Sequence, residues 1–186
     1  MFGYRPPMRP RPYGRQPIGN GSRLSNIEYK WKALWPTLAS TIIGSSIILC
    51  GLLLFTLEIA SLALIGKFGT PTGIYGSGVG IWTGVFIMVA GVLIVVINCV
   101  KSVRLWALIA FCATIAAAAF AIIDFSINAA RVDGSRAAGE FDSIFSDIKS
   151  IAGLAAAQLA FGLVAFLLCL AFIGLYIYTY MKIKKR

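Results

Sequence analysis

The chain has 186 residues, of which 59% are hydrophobic and 13% charged, and a net charge of +10. A soluble domain of this length needs a charged shell that such a composition does not supply, so most of the surface has to face lipid. There is no histidine, the commonest general base and metal ligand near neutral pH. The four cysteines, Cys50, Cys99, Cys112 and Cys169, form no CxxC pair, and neither an enzyme, a cofactor nor a bound metal is expected.

In chain order, residues 1–33 read as a basic, Pro-rich tail. Residues 1–22 hold five of the seven prolines (Pro6, Pro7, Pro10, Pro12 and Pro17) together with Arg5, Arg9, Arg11 and Arg15. A segment of that kind cannot bury a core and is expected to be disordered or polyproline-like. Pro7-Met8-Arg9-Pro10 fits the loose PxxP pattern, which leaves an adaptor ligand and a plain solvated tail both open.

Residues 34–180 read as one membrane domain. A hydrocarbon layer of about 30 Å needs roughly 20 apolar residues per helical span, and 38–65, 80–100, 105–127 and 151–178 each satisfy that. The first is too long and starts too far in for a cleaved leader, so it is expected to remain as a span. Residues 181–186 form a short basic tail.

Helices in lipid associate through small residues and polar groups rather than through the hydrophobic effect. Gly44, Gly51 and Glu58 fall seven apart on one face of the first span, and Gly80, Gly84 and Gly91 line the second. Ala113, Ala117, Phe120 and Asp124 share a face of the third, and Gly153, Ala157 and Ala160 are assigned to the packing stripe of the fourth. Glu58, Asp124 and Gln158 come to similar heights in the alternating spans, at about 1.5 Å per residue, which predicts a polar cluster. No basic residue lies within the spans as bounded here, so the acids are expected to have no cationic partner inside the chain. An internal hydrogen-bonded network, a cation or proton site, and a contact to a partner's transmembrane residue are the readings of that cluster.

Between the third and fourth spans lies a long loop, about 128–150. Phe141, Ile144, Phe145 and Ile148 recur there at helical spacing and predict a short amphipathic helix. Cys99, at the end of the second span, is a packing residue or a palmitoylation site. Lys182 and Lys184 either close the last span with positive charge or form a dilysine-type retrieval signal.

Thirteen of the 17 basic residues fall in the N-terminal tail, the 101–104 loop and the C-terminal tail. The positive-inside rule therefore puts both ends in the cytoplasm. Trp31, Trp35, Trp106, Tyr176, Tyr178 and Tyr180 are expected to form the inner aromatic belt, with Tyr75 and Trp82 marking the outer one. The expected fold is an all-α membrane protein, a four-transmembrane-helix bundle with cytoplasmic N- and C-termini.

The stretch Gly73-Ile74-Tyr75, followed by Trp82-Thr83-Gly84-Val85-Phe86-Ile87-Met88-Val89-Ala90-Gly91, resembles the second-span signature of the B-lymphocyte-antigen-like four-span family, membrane-spanning four-domains subfamily A, and of its relative sarcospan. Ile122-Ile123-Asp124-Phe125-Ser126-Ile127-Asn128 extends the likeness, since members carry an acid and an Asn late in the third span. The resemblance covers about residues 34–180. It implies a plasma-membrane protein that self-associates and modulates receptors or channels. This chain lacks the cysteine pair that members carry in the second outer loop. The Trp-Gly-Leu-Trp and Cys-Cys-Gly signatures of claudins and tetraspanins are absent as well.

These readings converge on a tetraspan accessory or scaffold protein. Its expected partners are membrane lipid, further copies of itself and a membrane receptor or channel, and not nucleic acid, because the positive charge lies beside the membrane. Gly80, Gly84 and Gly91 are the expected face for lateral assembly. The alternatives are a small ion channel or ion-coupled transporter using Glu58 and Asp124, and a vesicle-trafficking protein of the MARVEL type. Endoplasmic reticulum or vesicle residence stays open beside the plasma membrane.

Overall fold

The computed structural model describes the backbone of residues 20–68, 78–139 and 146–185, and the side chains of 27–63, 78–133 and 153–185. Five helices cover nearly all of it: α1 (Asn20–Leu34), α2 (Thr37–Phe68), α3 (Val79–Val96), α4 (Val103–Gly139) and α5 (Ser146–Lys184). The described residues contain no strand. Stretches of α2, α3, α4 and α5 are each long and apolar enough to cross a membrane. The protein is an integral, multi-pass, all-helical membrane protein. Each long helix packs on the next in chain order, and α5 closes the ring against α2.

The buried positions repeat at alternating steps of three and four in every span. On α2 the repeat runs through Ser40, Gly44, Ile47, Gly51, Leu54, Glu58 and Ser61, with Cys50 buried beside it; on α4 it runs through Val103, Ala107, Ala110, Thr114, Ala117, Ala121, Asp124, Asn128 and Arg131, with Ala118 beside it. A sustained 3.5-residue period is that of helices wrapping one another left-handedly.

The α2–α3 seam is made of backbone. A Cβ on Gly91 would lie 2.8 Å from the Gly44 carbonyl oxygen, and one on Gly44 would lie 3.1 Å from the Gly91 carbonyl oxygen. One heptad further along, a Cβ on Gly84 would lie 2.8 Å from the Gly51 carbonyl oxygen, and one on Gly51 2.9 Å from that of Gly84. Four missing side chains thus let two antiparallel backbones touch at two levels. Gly84 and Gly91 pack against α2 and Gly80 against Glu58, inside the chain, which corrects the assignment of these three as a face for lateral assembly.

The stripe of the fourth span needs a correction of phase. Gly153 and Ala160 are exposed, a Cβ on Gly153 would meet nothing within 4 Å, and Ala157 is half-buried. The buried face of α5 is instead Ala155, Gln158, Gly162, Ala165, Cys169, Phe172 and Thr179. Glycine and alanine cost little on either side of a lipid-facing helix, so their presence did not fix the face. Burying the Gln158 amide among partners does fix it, because an unpaired amide in hydrocarbon is costly. On α4, Ala117 is fully buried and Ala113 partly so.

Two further expectations change at the end where α2 begins and α5 finishes. The tail assigned to residues 1–33 carries α1 from Asn20. Trp31 and Trp35, expected at the headgroups, are instead 3% and 6% exposed inside the bundle. Trp31 lies on α1 and Trp35 directly follows its end; Trp31 packs on Tyr176 with ring centroids 5.8 Å apart, and Trp35 meets Phe172 edge-on at 6.3 Å. Trp35 Nε1 donates to Ser40 Oγ at 3.2 Å, Ser40 Oγ lies 3.0 Å from Asn98 Oδ1, and Asn98 Nδ2 donates to Thr41 Oγ1 at 2.9 Å. Pro36 separates α1 from α2, because it has no N–H and its ring pushes Trp35 away from helical geometry.

At the opposite end the helices differ in length. Helix α3 has 18 residues and α4 has 37, about 27 and 55 Å at 1.5 Å per residue. Helix α4 runs on through residues assigned to the long loop, and α5 has begun by Ser146. Residues 140–145, with Phe141, Ile144 and Phe145 of the expected amphipathic helix, lie outside the described residues, as do Tyr75 and the PxxP segment.

Candidate functional site: an ion-paired polar cluster

The cluster forms level with the start of α3, where the short helix ends and α4 and α5 continue. Glu58 is fully buried at its centre. Arg131 Nη1 donates to Glu58 Oε2 at 3.1 Å and Nη2 donates to Oε1 at 3.3 Å, a forked pair between α4 and α2. Gln158 Nε2 of α5 adds a 2.7 Å bond to Oε2. Arg131 Nη1 also donates to Asn128 Oδ1 at 3.2 Å. From α3, Gly80 completes the surround: a Cβ there would come within 3.0 Å of Glu58 Oε2. All four spans therefore meet at one carboxylate. Glu58 also stands beside the second residue of α3, at the positive end of that helix's dipole.

A buried ion pair of this kind gains strength from the low dielectric but has to offset the desolvation of both charges. The forked guanidinium and the Gln158 amide occupy both Glu58 oxygens, which is the condition under which that offset succeeds.

The structure places Glu58, Asp124 and Gln158 at one end of the bundle interior, and their burial is 0%, 1% and 1% exposed. Glu58 and Gln158 are joined directly; Asp124 stands one turn away on α4, against Gly162 of α5, where a Cβ would lie 3.5 Å from its Oδ2. The expectation that the acids have no cation inside the chain is wrong. Arg131 falls in the expected 128–150 loop because hydrophobicity ends near Ile127, yet α4 continues to Gly139. Asn128 belongs to the family-like motif Ile122–Asn128, and nothing in that motif points to its bond to Arg131. The signal was present: Ala110, Ala117, Asp124 and Arg131 are successive heptad positions on α4.

Three atoms of the cluster, Asp124 Oδ2, Asn128 Nδ2 and Gln158 Oε1, are buried without a hydrogen-bond partner. Among the described residues the cluster holds two carboxyls and one guanidinium. An unmatched polar atom in such a place is costly and marks where a further group is accommodated.

The other singled-out residues lie elsewhere. Cys99 is exposed in the turn after α3, as is Cys112 on α4, whereas Cys50 and Cys169 are buried in the core. Lys182 and Lys184 are exposed in the last turn of α5, Lys182 with its ammonium 5.7 Å from the Tyr178 ring centroid. No protein-family model matches the chain, and no curated protein matches it.

Proposed function

We propose that the protein is a non-enzymatic four-span accessory or scaffold protein that associates laterally with itself and with membrane receptors or channels. The observation that carries this reading is the direction of the polar groups. The Glu58 carboxylate, the Arg131 guanidinium and the Gln158 amide face inward and join three helices, while the outer faces are apolar, as at Leu49, Ile59, Leu108, Ile122, Leu167 and Leu170. A bundle locked at one end of its interior and apolar outside is suited to contact with other membrane helices. The resemblance to the B-lymphocyte-antigen-like four-span family points the same way. Positive charge at Lys30, Lys32, Lys101, Arg104 and Lys182 supports cytoplasmic termini, and the family likeness supports the plasma membrane.

A channel or transporter reading would have to rest on Asp124, because Glu58 already accepts three hydrogen bonds. The test is in-membrane crosslinking of the tagged protein followed by affinity purification and mass spectrometry. Near-stoichiometric recovery of a receptor or channel, or a self-crosslinked ladder, is expected. A monomer recovered alone, with ion flux in liposomes abolished by Asp124→Asn, would replace the scaffold reading by the transport one.

A further inference from the structure

Among the described side chains, every basic residue except the buried Arg131 is exposed at the end where α2 begins and α5 finishes. They are Lys30 and Lys32 on α1, Lys101 and Arg104 around the start of α4, and Lys182, Lys184 and Lys185 around the end of α5. The acid described beside them, Glu28, is half-buried. These cations come from three segments far apart in the sequence, and the docking of α1 gathers them. Helix α1 packs on both α4 and α5. Trp31, between Lys30 and Lys32, rests on Tyr176 of α5, and at about 100° of turn per residue the two lysines stand on either side of that contact. Tyr176 also stacks on Phe111 of α4, with centroids 4.5 Å apart, and its hydroxyl is an electrostatic neighbour of Arg104. One ring thus ties the lysines of α1 to the basic residues of α4 and α5.

We infer that docked α1 completes a binding surface for the headgroup of an anionic phospholipid, held by the lysines of α1 together with the basic residues of α4 and α5. Charge is the first reason. Guanidinium and ammonium groups bind phosphate oxygens through charge-assisted hydrogen bonds, and the surface carries little acid to compete. Continuity with lipid is the second. Leu105, next to Arg104, is 55% exposed, and Met181, next to Lys182, is 51% exposed, on helices apolar and long enough to cross a membrane. Acyl chains cover such residues, so a headgroup carried on those chains arrives beside the cations. Lys182 shows the same junction within one side chain: its ammonium lies 5.7 Å from the centroid of the exposed Tyr178 ring, a basic tip beside an apolar surface. A soluble anion or an acidic peptide would meet the charge but not the apolar residues that border it. The charges by themselves would attract anionic lipid wherever α1 lay; the site requires α1 on Tyr176.

The test uses the full-length protein in phosphatidylcholine nanodiscs containing a photoactivatable phosphatidylserine or the matching photoactivatable phosphatidylcholine. Labelling by phosphatidylserine is expected to exceed that by phosphatidylcholine on the peptides bearing Lys30–Lys32, Lys101–Leu105 and Ile177–Lys185. The excess should shrink as added salt shortens the screening length. Arg104→Gln should lower the preference about fivefold, and Lys30→Gln with Lys32→Gln about fivefold for each residue removed. Trp31→Ala, which keeps every charge but releases α1 from Tyr176, should lower it as far as the lysine pair does. The comparison of the two lipids is made on the unaltered protein, and the glutamines replace exposed side chains, so neither depends on a variant with a damaged core. Equal labelling by the two lipids, an unchanged preference in the Lys30→Gln/Lys32→Gln or the Trp31→Ala protein, or displacement of the lipid by a soluble inositol phosphate at matched ionic strength would each overturn the inference.

Discussion

The α2–α3 seam and the polar cluster join the same helices by opposite means. At the seam, four glycines bring two backbones together, with the side chains of Ile48, Phe55, Met88 and Val95 packed beside them. At the cluster, long side chains reach across the bundle, and each bond depends on a partner that could be lost. A rigid contact and an adjustable one sit at successive levels of one helix: Gly44, Gly51 and Glu58 follow at seven-residue steps. The seam therefore sets the distance between α2 and α3, and the cluster sets which way α4 and α5 close over them.

Substitutions can separate the two. Arg131→Leu strands the Glu58 carboxylate in the interior and should cost about 3–5 kcal/mol of stability, measured by reversible unfolding in mixed micelles. Adding Glu58→Leu to it should recover most of that loss. If the double variant is no better than the single, the cluster holds the bundle by more than its charge pair. Gly84→Ala drives a Cβ to 2.8 Å from the Gly51 carbonyl and should cost about 1–3 kcal/mol as the helices shift apart. A cost near zero would mean that the seam, like the cluster, can adjust. Trp35→Phe keeps the packing on Phe172 but deletes the bond to Ser40 Oγ, for about 1 kcal/mol. Smallest is Gly153→Ala, which meets open space and should stabilise α5 by about 0.5–1 kcal/mol. A loss there would restore the sequence assignment of Gly153 to a packing face.

The four spans were legible because hydrophobicity and length determine them almost alone. So were the glycines at 44, 51, 84 and 91, since backbone contact in lipid has few other solutions. What the sequence hid lies where hydrophobicity stops being informative. Arg131 falls in the stretch expected as the 128–150 loop because it follows the apolar run, although a helix does not end where the hydrocarbon does. The face of α5 was misread because Gly153, Ala157 and Ala160 are tolerated equally on both sides; Gln158 carried the phase. Trp31 and Trp35 were given to the interface by a rule that describes aromatic residues facing lipid, whereas Pro36 turns α1 back onto Phe172 and Tyr176.

The charge pair links residues 73 positions apart, and that separation has a meaning during synthesis. At about 5–20 residues per second, Glu58 is made roughly 4–15 s before Arg131. Over that interval Glu58 exists without its cationic partner. The glycine seam is available sooner, as soon as α3 emerges, so a two-helix hairpin forms first and carries the carboxylate next to Gly80. Arrival of α4 then completes the pair.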